Sequence, residues 1–160
     1  MDKEEYLSKI ERKLRRNALI ATWNHMERNV TLDGVNFDLI VKGDTGKISM
    51  GILARLLGSI FLPKQKVATM VTVIEGEQLI SIESLVKIIN AAKQYMTKEN
   101  LHWIWLVTVA FTDFLADALR FAEEYYERNI AIILVNLKRQ KVVAFTDSSM
   151  GRSSLGFLRP

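Results

Sequence analysis

One acidic residue, Asp38, stands out because it interrupts an otherwise apolar segment that runs from Val35 to Val41. A carboxylate in the middle of a buried strand costs free energy unless it is paired with a cation or binds a metal ion. Two kinds of chemistry are therefore open. Asp38 forms an ion pair with a Lys or Arg at a strand end, or it belongs to a metal site.

Several other kinds of chemistry are excluded by composition and spacing. The chain has no cysteine, which excludes disulfides, a thiol nucleophile and cysteine-ligated zinc or iron–sulfur sites. His25 and His102 are far apart in the sequence and do not form a metal-binding spacing. We find no glycine-rich phosphate loop, no Ser-His-Asp arrangement and no dinucleotide fingerprint. Asp38 is therefore the best pointer to function.

The charge balance permits a polyanionic partner without requiring one. The formal net charge is +4 and the sequence pI is about 9.4, so the chain is moderately basic. Apolar residues at helical spacing predict an amphipathic helix over residues 3–24. Its other face is either an ordinary solvated surface or a phosphate-contacting patch. The basic residues that we expect to contact nucleic acid are Arg12, Lys13, Arg15 and Arg16 on this face and Lys42 on a later strand.

Composition predicts an ordinary globular protein. Hydrophobic residues make up 49% of the 160 residues and charged residues 25%, which favours one domain over residues 1–147. Residues 148–160 are rich in Ser, Gly and Arg, and we expect a flexible tail there. The charged N-terminus does not look like a secretory signal, and the longest apolar stretch, 48–62, is too short for a transmembrane helix. We therefore expect a cytoplasmic protein without a membrane partner.

The first half of the chain predicts a β-hairpin followed by a helix. The dipeptide Asp33-Gly34 is a strong hairpin signal, because glycine accepts the positive φ that a tight turn needs. We predict strands at 26–32 and 35–42, a second turn at 43–46 and a helix at 48–62. That helix is apolar on most sides, so it either packs in the core or docks a partner helix.

The second half alternates strands and helices. We predict strands at 67–74, 101–111, 130–136 and 142–146, with a helix over 82–96 capped by Ser81 and another over 113–128 capped by Thr112. Alternation of this kind indicates an α/β fold, in which a mixed sheet carries helices on both faces.

Three segments resemble the PD-(D/E)xK, or restriction-endonuclease-like, superfamily, with the nearest likeness to its archaeal and Mrr-like members. NVTLDGVNFDLIVKG is similar to the metal-binding hairpin, and VTVIEGEQLISIESLVKII to the third strand and core helix. LVTVAFTDFLADALRFAEEYYERNIAIILV resembles the strand, helix and strand that follow. The likeness spans roughly residues 26–136 and implies a restriction-endonuclease-like core.

The resemblance implies a divalent-metal-dependent nuclease, with Mg²⁺ as the cofactor and DNA as the expected nucleic acid. In this superfamily an Asp and a Glu hold the metal, and a Lys two residues after the Glu positions the attacking water. Asp38 matches the Asp. Since many proteins with this fold form dimers, a homodimer is also possible.

The Glu-x-Lys pair is where the chain departs from this pattern. The most natural alignment places Thr72 and Ile74 at the two positions. Thr72 is a poor ligand for Mg²⁺ compared with Glu, and Ile74 cannot position a water molecule as Lys does. A shifted alignment uses Glu75 and Glu77, which with Asp38 gives three carboxylates that could hold Mg²⁺ but no cation. A lysine that has migrated to the core helix, Lys87 or Lys93, is a third possibility.

Three functions follow from these alternatives. The first is a nuclease-like nucleic-acid-binding protein whose metal-dependent site is degenerate. The second is an active Mg²⁺-dependent DNA endonuclease with a rearranged site built on Asp38 and Glu75. The third is an interaction or assembly module, with residues 48–62 as its docking surface and no role in nucleic-acid binding.

Overall fold

The computed structural model describes residues 1–16, 21–45 and 64–160. The predicted helix at 48–62 lies outside these residues. The helices are α1 (Lys3–Arg16), α2 (Ile82–Lys98), α3 (Ala116–Glu124) and α4 (Ser149–Leu158). The strands are β1 (Thr22–Leu32), β2 (Val35–Asp44), β3 (Lys66–Ile74), β4 (Trp103–Ala110), β5 (Ile130–Asn136) and β6 (Lys141–Phe145).

The strands form one mixed sheet whose spatial order, β1-β2-β3-β4-β5-β6, follows the order of the chain. Strands β1, β2 and β3 are antiparallel, β3, β4 and β5 are parallel, and β6 returns antiparallel to β5. The helices α2 and α3 make the crossovers that parallel strands require. The predicted α/β class with a mixed sheet is confirmed.

Helices cover both faces of the sheet. On one face α2 and α3 pack over a core that includes Met70, Leu85 and Ile104. On the other face α1 and α4 pack over a second core that includes Tyr6 and Trp105. Because the central strands are buried on both sides, they are almost continuously apolar, as the sequence indicated.

The carboxyl ends of the parallel strands meet at one edge of the sheet, which we call the carboxyl edge. Ile74 of β3 is in register with Ala110 of β4, and Ala110 is in register with Asn136 of β5. The residues after these three positions therefore leave the sheet side by side. In α/β sheets, this is the edge where ligands usually bind.

The structure contains the predicted hairpin turn and the predicted cap of α2. Asp33 and Gly34 both have positive φ, 47° and 74°, as a tight two-residue hairpin turn requires. Ser81 caps α2, since its side-chain oxygen accepts a hydrogen bond from the backbone N–H of Ser84 at 3.4 Å. Both predictions are confirmed.

Two predicted boundaries near the hairpin are wrong. The helix predicted over 3–24 ends at Arg16, and Trp23 lies in β1 rather than on a helical stripe. Gly43 and Asp44 belong to β2 rather than to a turn, because the β1–β2 ladder continues to Thr22. A Cβ at position 43 would lie 2.5 Å from the Thr22 carbonyl oxygen, so the glycine permits this close pairing.

Two predictions in the second half are also wrong. Helix α3 begins at Ala116 and has no side-chain cap; the Thr112 hydroxyl instead donates to the Gln78 carbonyl at 3.0 Å. The expected flexible tail forms α4, whose Phe157 and Leu158 are buried in the core. Those two apolar side chains gain burial against the sheet, a long-range effect that tail composition does not reveal.

Across residues 1–16, 21–45 and 64–160, none of the helices has the length and apolar character needed to cross a membrane.

Candidate functional site

Asp38 lies where strand β2 changes the face that it presents. Leu39 packs in the core under α1 and α4, whereas Phe37, two residues earlier, packs under α2 and α3. A regular strand would place residues 37 and 39 on the same face. The neighbouring strand is irregular at the same level, since Asn29, between the partners of Phe37 and Leu39, has a φ of 54°. The interrupted pleat sets Asp38 apart from both apolar faces.

The Asp38 carboxylate is buried, with 1% of its surface exposed, and it is held on several sides. Its Oδ2 accepts the backbone N–H of Val73 at 2.6 Å. Its Oδ1 accepts the side-chain amide of Asn36 at 3.2 Å and the ammonium of Lys3 at 2.7 Å. These contacts offset the cost of burying the charge and fix the orientation of the carboxylate.

Lys3 joins Asp38 to a second carboxylate. Its Nζ lies 2.7 Å from Asp38 Oδ1 and 2.9 Å from Glu75 Oε1, so the two acids converge on one ammonium. The hydrogen bonds that Lys3 donates to Asp38 and then to Glu75 raise its pKa further above neutral pH, so the ammonium stays protonated. The interpretation of Asp38 as half of an ion pair is confirmed.

The position of Lys3 follows from the way α1 packs. Tyr6, Leu7 and Ile10 are buried against the sheet, and position 3 lies one helical turn before Tyr6 and Leu7 on the same side. Asp2 lies just before the helix, and its Oδ1 accepts the backbone N–H of Glu5 at 2.8 Å. The apolar stripe of α1 thus sets its first turn beside the end of β3.

Thr72 and Ile74, which the most natural family alignment places at the Glu and Lys positions, take no part in the ion pairs. Thr72 is buried, and its hydroxyl donates to the Asn36 carbonyl at 2.8 Å. Ile74 packs against the α2 side of the core. Thr72 thus joins β3 to β2 and Ile74 fills the core, so neither side chain supplies a ligand.

The other predicted members of the site lie elsewhere. Glu77 lines a separate pocket together with Phe111 and Arg139. Lys87 is exposed on α2, and Lys93 pairs with Glu127. Neither of the lysines considered in the core helix pairs with Asp38, because the lysine at Asp38 comes from α1.

The donor set is small but chemically suited to a hard cation. Within residues 1–16, 21–45 and 64–160, no three His, Cys, Asp or Glu side chains gather in a group that could hold a metal ion. Mg²⁺, however, is often held by one or two carboxylates, with water and substrate phosphate completing its shell. Asp38 and Glu75 already converge on one positive charge. They fit such an ion if Lys3 moves aside.

The predicted basic face of α1 is exposed but distant from these acids. Arg12, Arg15 and Arg16 are exposed, and Lys13 donates to the Arg159 carbonyl at 2.8 Å. At a rise of about 1.5 Å per residue, the helix carries its basic end roughly 20 Å from Lys3. Nucleic acid that contacts both ends must therefore extend along the whole helix.

Lys42 is occupied by contacts within the protein. Its Nζ lies 3.0 Å from Glu99 Oε2 and 3.8 Å from Glu27 Oε1. The same ammonium is 5.7 Å from the centre of the Tyr95 ring. Burial lowers the pKa of Lys42, but the hydrogen bond to Glu99 and the further contributions of Tyr95 and Glu27 together outweigh that effect, and the pKa is raised. A phosphate at this position has to compete with two carboxylates.

Sequence reasoning missed Lys3 and Asn36. Asn36 carried a usable signal, since a residue two positions from Asp38 on a strand is expected on the same side. Lys3 carried none, because the pair is separated by 35 positions of chain and depends on how a helix docks on a sheet. The predicted amphipathic helix included Lys3 but did not indicate what lies beside its first turn.

Comparison with known proteins adds no relative: no protein-family model, curated protein or solved structure matches this chain.

Proposed function

We propose that this protein is a metal-dependent phosphodiesterase acting on DNA, with a rearranged nuclease site formed by Lys3, Asp38 and Glu75. One observation carries the proposal: a single lysine ammonium lies within 3 Å of both carboxylates. These are the three residue types that the PD-(D/E)xK resemblance implies. The lysine comes from helix α1 instead of following Glu75 by two residues.

Each residue has a definable task in this chemistry. Mg²⁺ bound by the two carboxylates would lower the pKa of a coordinated water and neutralise charge on the phosphate. Asp38 is suited to be the fixed ligand, because Val73 and Asn36 hold its carboxylate. Glu75 has 65% of its side-chain surface exposed and is the ligand that can adjust to substrate.

Lys3 supplies positive charge rather than a base. A lysine ammonium with the ordinary pKa of 10.5 is already protonated at neutral pH, and the ion pairs with Asp38 and Glu75 raise that pKa. An ammonium beside the reacting phosphate donates hydrogen bonds to the oxygens on which negative charge develops. With 28% of its side chain exposed, Lys3 has room to turn from the carboxylates towards a bound phosphate.

A second candidate is a nucleic-acid-binding protein whose nuclease site is degenerate. The observation that favours it is that Lys3 stands at the point where the two carboxylates would share a metal ion. In this case the ammonium replaces the metal permanently and offsets part of the charge of the two carboxylates. Phosphate contacts would then come from the exposed basic residues of α1.

One experiment separates the two candidates. We would incubate the full chain with supercoiled plasmid, linear duplex and single-stranded DNA, in the presence of Mg²⁺, Mn²⁺ or EDTA. The same assay would be run on Asp38→Asn, Glu75→Gln and Lys3→Met. The matched control is Glu99→Gln, which removes a carboxylate from the lysine pair at the other end of β2.

For the phosphodiesterase we expect cleavage that requires the metal and falls about 100-fold or more in the Asp38 and Lys3 variants. Glu99→Gln should cleave like the wild type. Salt-sensitive binding without cleavage under any metal would overturn the phosphodiesterase and support the degenerate candidate. If neither binding nor cleavage is seen and the chain is a stable oligomer, both candidates fail and the assembly module is favoured.

A further inference from the structure

A second polar cluster lies on the same carboxyl edge as Lys3, Asp38 and Glu75. It lines a pocket of about 350 Å³ formed by the segments that follow β3, β4 and β5. Its lining includes Leu79, Phe111, Asp113, Asn136, Lys138 and Arg139. Because Ile74, Ala110 and Asn136 are in register, the pocket adjoins the end of β3, from which Glu75 emerges.

A buried side chain ties the two loops of the pocket together. Asn136 is 2% exposed, and its amide donates to the Thr112 carbonyl at 3.0 Å and to Asp113 Oδ1 at 2.8 Å. Its carbonyl oxygen accepts the backbone N–H of Arg139 at 2.8 Å. Asn136, the last residue of an otherwise apolar strand, therefore holds the loops at this edge together through both ends of its side-chain amide.

Arg139 is held in position by this network. Its guanidinium donates to Asp113 Oδ2 at 2.5 Å, while Asn136 holds the other oxygen of the same carboxylate. A guanidinium has five N–H donors, so others remain to bind an anion. A positioned arginine loses less side-chain entropy on binding than a free one does. Asp113 therefore acts as the positioning residue for Arg139.

The remaining walls suit a nucleotide rather than a bare anion. Lys138 and Arg139 are exposed, and their charges offset those of Glu77 and Asp113 on the same rim. Leu79 is 54% exposed and, with Phe111, offers an apolar surface. A pocket with apolar walls and a few fixed polar groups is typical of small organic ligands.

Resting on the proposed function, we infer that this pocket is the subsite for a nucleotide of the same DNA strand, near the phosphate held at Lys3. Neighbouring strands are about 4.8 Å apart, so the end of β5 lies roughly 10 Å from that of β3. One strand of a duplex rises about 3.4 Å per nucleotide. The pocket nucleotide is therefore no more than about three steps from the reacting phosphate, with its own phosphate on Lys138 and Arg139.

The first test measures the affinity of a fluorescent 20-base-pair duplex, in EDTA, as a function of salt. We compare the wild type with Lys138→Gln/Arg139→Gln. The control is Lys98→Gln/Arg128→Gln, which removes the same charge from exposed residues before β4 and β5. Thermal unfolding of every variant reports whether it is folded. Loss of two phosphate contacts should weaken binding about 10-fold and reduce the salt slope by nearly 2, while the control changes little.

The second test measures the DNA affinity of Asp113→Ala, for which two explanations predict changes in opposite directions. If only overall charge matters, removing an acid strengthens DNA binding. If Asp113 positions Arg139, the variant binds more weakly although it is more basic. The subsite proposal is overturned if Asp113→Ala binds DNA more strongly than the wild type. It is also overturned if the two double variants lose DNA affinity equally.

The proposed function fails separately from this inference. If the wild type cleaves DNA through Asp38 but Lys138→Gln/Arg139→Gln binds and cleaves normally, only the subsite is wrong. If the wild type neither binds nor cleaves DNA, the phosphodiesterase is wrong and the subsite falls with it.

Discussion

Two clusters, each with one lysine between two carboxylates, lie at different points along strand β2. At one end Lys3 lies between Asp38 and Glu75. At the other, Lys42 lies between Glu99 and Glu27. Asp38 and Lys42 are four residues apart, which is about 13 Å along a strand.

The two clusters differ in which charge is buried. Asp38 is 1% exposed and accepts a backbone N–H, so a fixed carboxylate anchors the first cluster. In the second cluster Glu27 and Glu99 keep 35% and 32% of their side-chain surface exposed, and the lysine is the more buried partner. A buried acid can serve as a metal ligand, whereas exposed acids around a lysine form an ordinary surface ion pair.

The largest expected effect is on the free energy of unfolding. Lys3→Met leaves the Asp38 charge buried without its cation and should cost about 3 kcal/mol. Lys42→Met should cost about 0.2–1 kcal/mol, because its partners can be solvated. Urea unfolding followed by circular dichroism measures both values.

A double-mutant cycle then isolates each pair. Lys3→Met/Asp38→Asn should recover most of the loss of Lys3→Met, because removing both charges leaves no unpaired charge in the interior. Lys42→Met/Glu99→Gln should show coupling below about 1 kcal/mol. Equal coupling in the two cycles would contradict the distinction between the clusters.

A smaller effect is expected at the support of Asp38. Thr72→Val removes the hydrogen bond to the Asn36 carbonyl and should cost about 1 kcal/mol. The control, Thr97→Val, removes a hydrogen bond to the Lys93 carbonyl on the exposed side of α2 and should have little effect on stability. If Thr72 only fills space, the two substitutions will lower the unfolding temperature by the same small amount.

The smallest effect is a pH dependence at Glu99. Its hydrogen bond to Lys42 lowers the pKa of Glu99 below the ordinary 4.5. A carboxyl whose pKa is lower in the folded state stabilises the fold above pH 4.5, and that contribution is lost as pH falls through the lowered value. Lys42→Met should therefore weaken the fold above pH 4.5 and lose its effect in stronger acid. A titration of Glu99 by NMR checks the direction.

Much of the fold was predictable because its signals are local. The turn at Asp33 and Gly34, the cap at Ser81 and the strand that became β3 all depend on neighbouring residues, and all are present. The wrong prediction about the C-terminal segment concerns burial at long range. Residues 148–160 look like a tail by composition, yet Phe157 packs edge-to-face on Trp105 with 5.5 Å between ring centres.

For the candidate site, the sequence by itself determined that Asp38 needs a partner, because a carboxylate in an apolar strand cannot stay buried alone. It also placed Glu75 at the end of the next strand. Only the tertiary structure decided that the partner is Lys3, since that contact requires α1 to dock on the sheet with its first turn beside β3. Packing of an apolar stripe sets that docking, and no local pattern encodes which distant side chain the stripe brings near.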